Sequence, residues 1–199
     1  MIIMIGIIDY NAGNLRSIKK AIELYDKAII TKNKEDLLSC DKVVLPGVGN
    51  FGTAMKNLSP LVNAINTIIS EKIPFLGICL GMQVLFNESE EKEGIKGLGL
   101  IKGKVVRFKN VEKLPHMGWN NVKIVNDCPL FEGIADNSYF YFVHSYYVNP
   151  DENCVVGKTT YGLEFPSVVN KNNIFATQFH PEKSGKIGLK LIENFIELI

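Results

Sequence analysis

Three side chains in this sequence could together run acyl-transfer chemistry: a thiol, an imidazole and a carboxylate. Cys79 lies in Pro74-Phe75-Leu76-Gly77-Ile78-Cys79-Leu80-Gly81-Met82-Gln83. An apolar run stops at the thiol, glycines stand two residues either side, and a helix-favouring stretch follows. That is the strand–turn–helix pattern of a nucleophile elbow, here G-x-C-x-G. The glycines are needed because a strained turn leaves no room for Cβ atoms beside an exposed nucleophile. The helix expected after Cys79 would turn its positive end toward a thiolate and lower the thiol pKa. The Leu80 N–H would be one oxyanion donor.

A thiolate needs a base, and the chain has three histidines: His116, His144 and His180. His180 has the strongest case. Pro181 favours extended backbone at the residue before it. In an extended stretch residues i and i+2 face the same way, ~6.5 Å apart. His180 and Glu182 can therefore meet, with the glutamate holding the ring tautomer and stabilising the imidazolium. His144, in Phe142-Val143-His144-Ser145-Tyr146, has no acidic neighbour and stands as the reserve base. Pro46-Gly47-Val48-Gly49 closes an apolar strand, and its glycine-flanked amides could supply the second oxyanion donor. The G-x-G is not a dinucleotide fingerprint, because the rest of that spacing and its acidic ribose ligand are missing. The other cysteines, Cys40, Cys128 and Cys154, read as small buried hydrophobes. With no C-x-x-C pair, neither a zinc site nor a disulfide framework is indicated, which fits a reducing cytosol.

Alternating strands and helices must position these groups. Residues 2–8 form a β-branched run, as in a parallel strand covered on both faces. Leu15, Ile18, Ile22 and Tyr25 recur at helical spacing. Short strands at Ile29-Ile30 and Val43-Val44-Leu45 follow, then a helix through Leu61, Ile65, Ile68 and Ile69, then the strand into Cys79. This half predicts a doubly wound α/β sheet. Beyond about Gly97 the texture changes. Val105 to Phe108, Asn121 to Val125, Tyr139 to Val148 and Val168 to Phe179 read as strands of mixed or antiparallel sheet. A final amphipathic helix spans Ile187 to Leu198. The acidic cluster Glu88, Glu90, Glu91 and Glu93 reads as a solvated loop.

Length and charge bound the rest. A chain of 199 residues is most simply one domain, 1–199. Its 22 basic and 21 acidic residues leave no basic stripe for nucleic acid and no polybasic segment for anionic membrane. The apolar start lacks a basic n-region and reads as a buried strand, not a signal peptide.

The elbow together with Gln178-Phe179-His180-Pro181-Glu182 resembles the class I, triad-type glutamine amidotransferases. Further segments narrow the likeness. Asp9 to Ser17, Leu45 to Phe51, Pro115-His116-Met117-Gly118-Trp119-Asn120, His144-Ser145-Tyr146-Tyr147 and His180 to Ser184 are similar to the glutaminase subunits of imidazole glycerol phosphate synthases. The likeness runs end to end. Asn11 stands where those subunits more often carry glycine, and Phe165 to Val169 is only loosely similar.

This resemblance implies a flavodoxin-like fold with helices on both faces of the sheet. It implies hydrolysis of glutamine without a cofactor or metal, and ammonia passed through a tunnel to a (β/α)8-barrel cyclase subunit in histidine biosynthesis. It implies Cys79 as nucleophile, His180 as base and acid, and Glu182 as its orienter. Gly47, Val48 and Gly49, with Leu80, would stabilise the oxyanion. Gln83, Ser145 and Tyr146 would bind the amino-acid end of glutamine. His116, Met117, Trp119 and Lys183 are the expected partner-facing residues. The alternatives are a glutaminase subunit for anthranilate, aminodeoxychorismate or pyridoxal phosphate synthesis, a stand-alone cysteine peptidase or γ-glutamyl hydrolase, and a binding module with a decayed site.

Overall fold

A computed structural model describes residues 3–199. Ile2, placed above in the first strand, lies outside the described residues. A nine-stranded sheet carries the site. Its parallel half consists of β1 (Met4–Ile8), β2 (Lys27–Thr31), β3 (Lys42–Leu45), β4 (Phe75–Ile78) and β12 (Ile174–Thr177), in the order β2-β1-β3-β4-β12. Side chains alternate between two apolar layers, as the pleat requires. Ile5, Ile7, Val44, Leu76 and Ile78 enter one layer; Ile8, Val43, Leu45 and Phe75 enter the other. Helices α1 (Leu15–Ile22) and α6 (Gly185–Glu197) cover the first with Ile18, Ile22, Leu191 and Phe195. Helices α2 (Lys34–Leu38), α3 (Phe51–Leu58) and α4 (Val62–Ser70) cover the second with Leu37, Phe51, Leu58, Ile65 and Ile68. The parallel strands are thus buried on both faces, which explains their uninterrupted apolar runs.

The antiparallel half continues the same sheet through β11 (Leu163–Lys171), β10 (Val155–Tyr161), β7 (His116–Ile124) and β8 (Ser138–His144). A small sheet joins β5 (Glu88–Ser89), β6 (Gly103–Arg107) and β9 (Tyr146–Pro150). Two expected strands divide. Tyr139 to Val148 breaks at Ser145 into β8 and β9, which belong to different sheets. Val168 to Phe179 turns back at Asn172, whose φ of 54° makes a tight reversal between β11 and β12. Among the described residues no helix is long and apolar enough to cross a membrane.

The consequence for the site is one of registry. β3, β4 and β12 are adjacent and parallel, with Leu45 beside Gly77 and Ile78 beside Thr177. The loops leaving their carboxyl ends carry Gly47 to Gly49, Cys79 and His180. Open α/β sheets bind ligands in the crevice outside these ends.

Candidate active site

Cys79 has φ 56° and ψ −107°, a left-handed backbone forced on a side chain with a Cβ. Such strain is characteristic of a nucleophile elbow. The flanking glycines explain how the turn fits. A Cβ on Gly81 would strike the carbonyl oxygen of Leu45, and one on Gly77 would lie 2.8 Å from the Gly81 oxygen. The helix that follows, α5 (Leu80–Gln83), is only four residues long. The expectation of a helix dipole activating Cys79 is corrected accordingly, since one turn sums few peptide dipoles. The Leu80 N–H sits at its first position, where no intrahelical acceptor exists upstream.

His180 is extended, at φ −100° and ψ 96°, and Pro181–Lys183 form a 3-10 turn. Its Nδ1 lies 2.9 Å from Glu182 Oε1, with both side chains buried. The backbone is fixed as well: His180 N–H donates to Tyr141 O at 2.9 Å, and Ser184 Oγ donates to His180 O at 2.7 Å. Burial works against a charge on the ring, but Cys79 and Glu182 outweigh it and hold His180 well above its usual pKa. Nε2 has no hydrogen-bond partner. The Cys79 side chain nevertheless stands close enough to His180 to raise its pKa, as a looser contact than an ordinary hydrogen bond. Such contacts commonly tighten only when substrate binds.

His144 is excluded as the base by its partners. Its Nδ1 lies 2.7 Å from the Tyr146 carbonyl, and its Nε2 lies 2.9 Å from His116 Nδ1. A carbonyl can only accept, so His144 Nδ1 carries the hydrogen. At the far end Asn120 Nδ2 donates to Thr160 O at 2.9 Å while Asn120 Oδ1 accepts from Asn121 N–H, which fixes the amide's orientation. The same Nδ2 lies 3.2 Å from His116 Nε2, so that nitrogen accepts. His116 Nδ1–H must then donate to His144 Nε2. Both rings are neutral, and burial holds their pKa values down to about 4 and about 3. His116 is buried, which corrects its assignment to a partner-facing surface. Met117 and Trp119, its neighbours on β7, are 61% and 56% exposed and do face outward. Lys183 lies beside them, 6.0 Å from the ring centre of Tyr141, against which Trp119 packs edge-on.

A cavity of about 280 Å³ opens over Cys79. Val48, Gly49, Leu80, Gln83, Ser145 and Tyr146 line it, so the expected oxyanion and substrate groups meet around one sulfur. Gly47 packs below them, where an added Cβ would lie 2.6 Å from the Tyr10 hydroxyl and 2.7 Å from Gly81 N. Among the described residues, none of the Gly47, Val48 and Gly49 amides donates a hydrogen bond. Asn50 accepts from Thr53 N and caps α3, closing the loop onto a rigid element.

Glu91 also lines the cavity and accepts from Phe51 N–H at 2.7 Å. The acidic cluster is therefore not simply a solvated loop, since Glu90 likewise accepts from Arg107 N–H. Neither role has a signature in sequence spacing, because both contacts join distant segments. Tyr10 was equally hidden; its hydroxyl donates to Pro46 O at 2.8 Å. A larger depression, about 480 Å³, lies around Cys128 and Phe131, away from the triad. It contains no histidine, and burial pushes the Cys128 thiol up, so it offers no second nucleophile.

The profile of the glutamine amidotransferase class-I family matches residues 7–198. The imidazole glycerol phosphate synthase subunit HisH of Methanocaldococcus jannaschii is 77% identical over 98% of this chain and 100% of its own length. The chain belongs to the HisH subunits of the class-I glutamine amidotransferases. A second HisH relative, HisH 1 of Methanococcus maripaludis, is 64% identical over 98% of this chain and 100% of that one. Among solved structures, PurLQS from Thermotoga maritima superposes with a TM-score of 0.77 at 18% identity, covering 100% of this chain and 99% of that chain. At that identity the likeness is one of fold. HisH membership leaves the peptidase and decayed-module alternatives without support.

Proposed function

We propose that this chain, as a single domain in the cytoplasm, is the glutaminase half of a two-subunit imidazole glycerol phosphate synthase. The observation that carries the reading is one cavity in which Cys79 meets the free amides of the Val48–Gly49 loop, with the buried His180–Glu182 pair next to the same Cys79. The Cys79 thiolate attacks the carboxamide carbon of glutamine. Amides of Leu80 and of the Gly47 to Gly49 loop stabilise the oxygen that becomes negative. His180, protonated and held by Glu182, gives its proton to the departing nitrogen, and ammonia leaves. The neutral imidazole then takes a proton from water, hydroxide adds to the thioester, and glutamate departs as Cys79 regains its thiolate. Gln83, Ser145, Tyr146 and the Glu91 carboxylate surround the space that the amino-acid end would occupy.

Ammonia released here would go through an internal channel to a (β/α)8 cyclase subunit docked on the Met117, Trp119 and Lys183 face. Lys183, on that face, directly follows Glu182 in the chain. Turnover of glutamine by the free chain should be slow, and faster with the cyclase and its ribotide ligand bound. The test is glutamate release by the chain alone, with the cyclase, and with cyclase plus ligand. Equal rates in all three states would overturn the coupling. No glutamate in any state would overturn the glutaminase reading.

A further inference from the structure

Behind the cavity, buried amides form a connected set that ends on the nucleophile. Gln178 is completely buried, two residues before the triad histidine. Its Nε2 lies 3.6 Å from Cys79 Sγ, and its Oε1 lies 3.2 Å from Gln83 Nε2. Gln83 Nε2 also donates to the Tyr146 carbonyl at 3.1 Å, beside the His144 Nδ1–H that occupies the same acceptor.

The orientation of Gln178 follows from acceptor chemistry. The Tyr146 carbonyl accepts only, so the end of Gln83 facing it is the NH2 group. That same NH2 group meets Gln178, which must present its oxygen there. Gln178 is left with its own NH2 group against the sulfur. The reversed rotamer would set two NH2 groups head to head and a carbonyl oxygen against a thiolate. The neutral His116–His144 pair holds the other side of the Tyr146 carbonyl, so the whole set has one polarity.

We propose that Gln178 is a catalytic residue: its side-chain N–H hydrogen-bonds Cys79 Sγ, favours the thiolate and aims it at the acyl carbon. Without it the sulfur faces an unfavourable neighbour, since the Val143 carbonyl lies 3.9 Å away, where it can accept from a thiol but only repel a thiolate. The proton leaving Cys79 goes to His180 Nε2. The same donor acts again at deacylation, when Cys79 departs from the thioester as a thiolate. The other titratable groups facing the sulfur are His180 with Glu182 behind it, the Tyr10 phenol, neutral His144 and, across the cavity, Glu91. The Tyr10 hydroxyl and the His144 Nδ1–H are committed to the Pro46 and Tyr146 carbonyls, which leaves the non-titrating Gln178 amide as the uncharged donor directed at the sulfur.

The catalytic consequence rests on the glutaminase reading; the sulfur contact does not. The test is therefore the pH dependence of Cys79 alkylation by iodoacetamide, a probe that needs neither glutamine nor partner, followed by peptide mass spectrometry. In Gln178→Met the midpoint should move up by about one pH unit, with alkylation at pH 7 slowed about tenfold. Gln178→Glu, nearly isosteric, should move it further, because a carboxylate replaces a donor. In steady-state glutamine assays both should lose kcat more than they raise KM. A midpoint equal to that of the wild type in a folded variant would overturn the proposal. Should both variants fail to fold, the wild-type chain labelled with 15N-glutamine decides. One side-chain NH2 pair should shift with the same midpoint as Cys79 alkylation, and the absence of any such pair would overturn the assignment. Absent glutamate release with a normal midpoint shift would instead remove the glutaminase reading and leave the contact standing.

Discussion

The Tyr10 hydroxyl holds the carbonyl oxygen of Pro46 at 2.8 Å. That oxygen and the Gly47 N–H belong to one peptide plane, so the bond fixes the direction of the Gly47 amide. The amides of Val48 and Gly49, with φ of 111° at Gly49, remain free to turn. Tyr10→Phe removes only the hydroxyl and frees the first peptide as well. It is expected to lower kcat for glutamine by up to about a hundredfold, the worth of one misplaced oxyanion donor. KM should change little, and Tm should fall by roughly 2–4 °C for the lost buried bond. Steady-state kinetics and a thermal melt check this. A lower Tm with unchanged kcat would make Tyr10 structural only.

Cys79→Ala is expected to abolish glutamine hydrolysis without unfolding the chain. His180→Asn should lose nearly as much, because triad members act as a unit and their effects do not add. Glu182→Gln should lose less, since it orients the ring and does not transfer the proton. A glutamine-analogue alkylator should label Cys79 and spare Cys40, Cys128 and Cys154, whose thiols burial pushes up. Label found mainly on those three would displace Cys79 from its role. A cyclase bound to the Cys79→Ala chain should still use external ammonia.

The His116–His144 pair predicts an acid-sensitive fold. Both imidazoles are held below the unfolded value of 6.5. Between that pH and about 4 the unfolded chain binds the more protons, so stability rises with pH and is lost as pH falls. From pH 7 to 5 the pair should account for roughly 4 kcal/mol of lost stability. His180, shifted the other way, contributes fully below 6.5 and loses its contribution as pH rises through its folded value. Denaturant unfolding of wild type and of His116→Gln/His144→Gln at both pH values isolates the pair, because His180 is common to both. Parallel pH dependences would refute the neutral pair.

Trp119 stands outward and more than half exposed, so Trp119→Ala should leave Tm within about 2 °C while weakening the complex with the cyclase by about 2 kcal/mol. Calorimetric titration against the cyclase subunit, beside a melt of the free chain, separates the two. Loss of Tm with unchanged affinity would place Trp119 in the structural framework instead.

What could be read from the sequence was what is local or periodic. The elbow was legible because strand, turn and helix start are contiguous. The His180–Glu182 contact was legible as a base with a carboxylate two residues on, but its geometry was not. Only His180 is extended, and Glu182 is brought back to it by the 3-10 turn Pro181–Lys183, which the spacing of an extended stretch does not foresee. The parallel strands announced themselves by apolar runs that only double-sided burial explains. The hidden parts all join remote segments. Tyr10 to Pro46, Glu91 to Phe51, and Gln83 to Gln178 span 36, 40 and 95 residues. No spacing rule reaches that far. His116 was misread for a related reason. Its neighbours on either side of Gly118 are exposed, but a strand alternates, and the sequence alone left the inward set undetermined. The break at Ser145 was missed because β8 and β9 read as one run of aromatic and β-branched residues, although they pair with different strands.

The His116–His144 bond also indexes one strand against the next. The two residues are directly paired across β7 and β8, with Met117 opposite Val143 and Trp119 opposite Tyr141. Sliding β7 by a single residue would carry Met117 and Trp119 inward and push His116 into solvent. Apolar side chains could tolerate such a slip, because one greasy contact replaces another. Two neutral imidazoles cannot, because their bond requires one nitrogen to meet one other, with Asn120 and Tyr146 waiting at the ends. The outward shape of this end of the sheet, with Met117 and Trp119 exposed, is thus spelled out by a pair of side chains buried behind it.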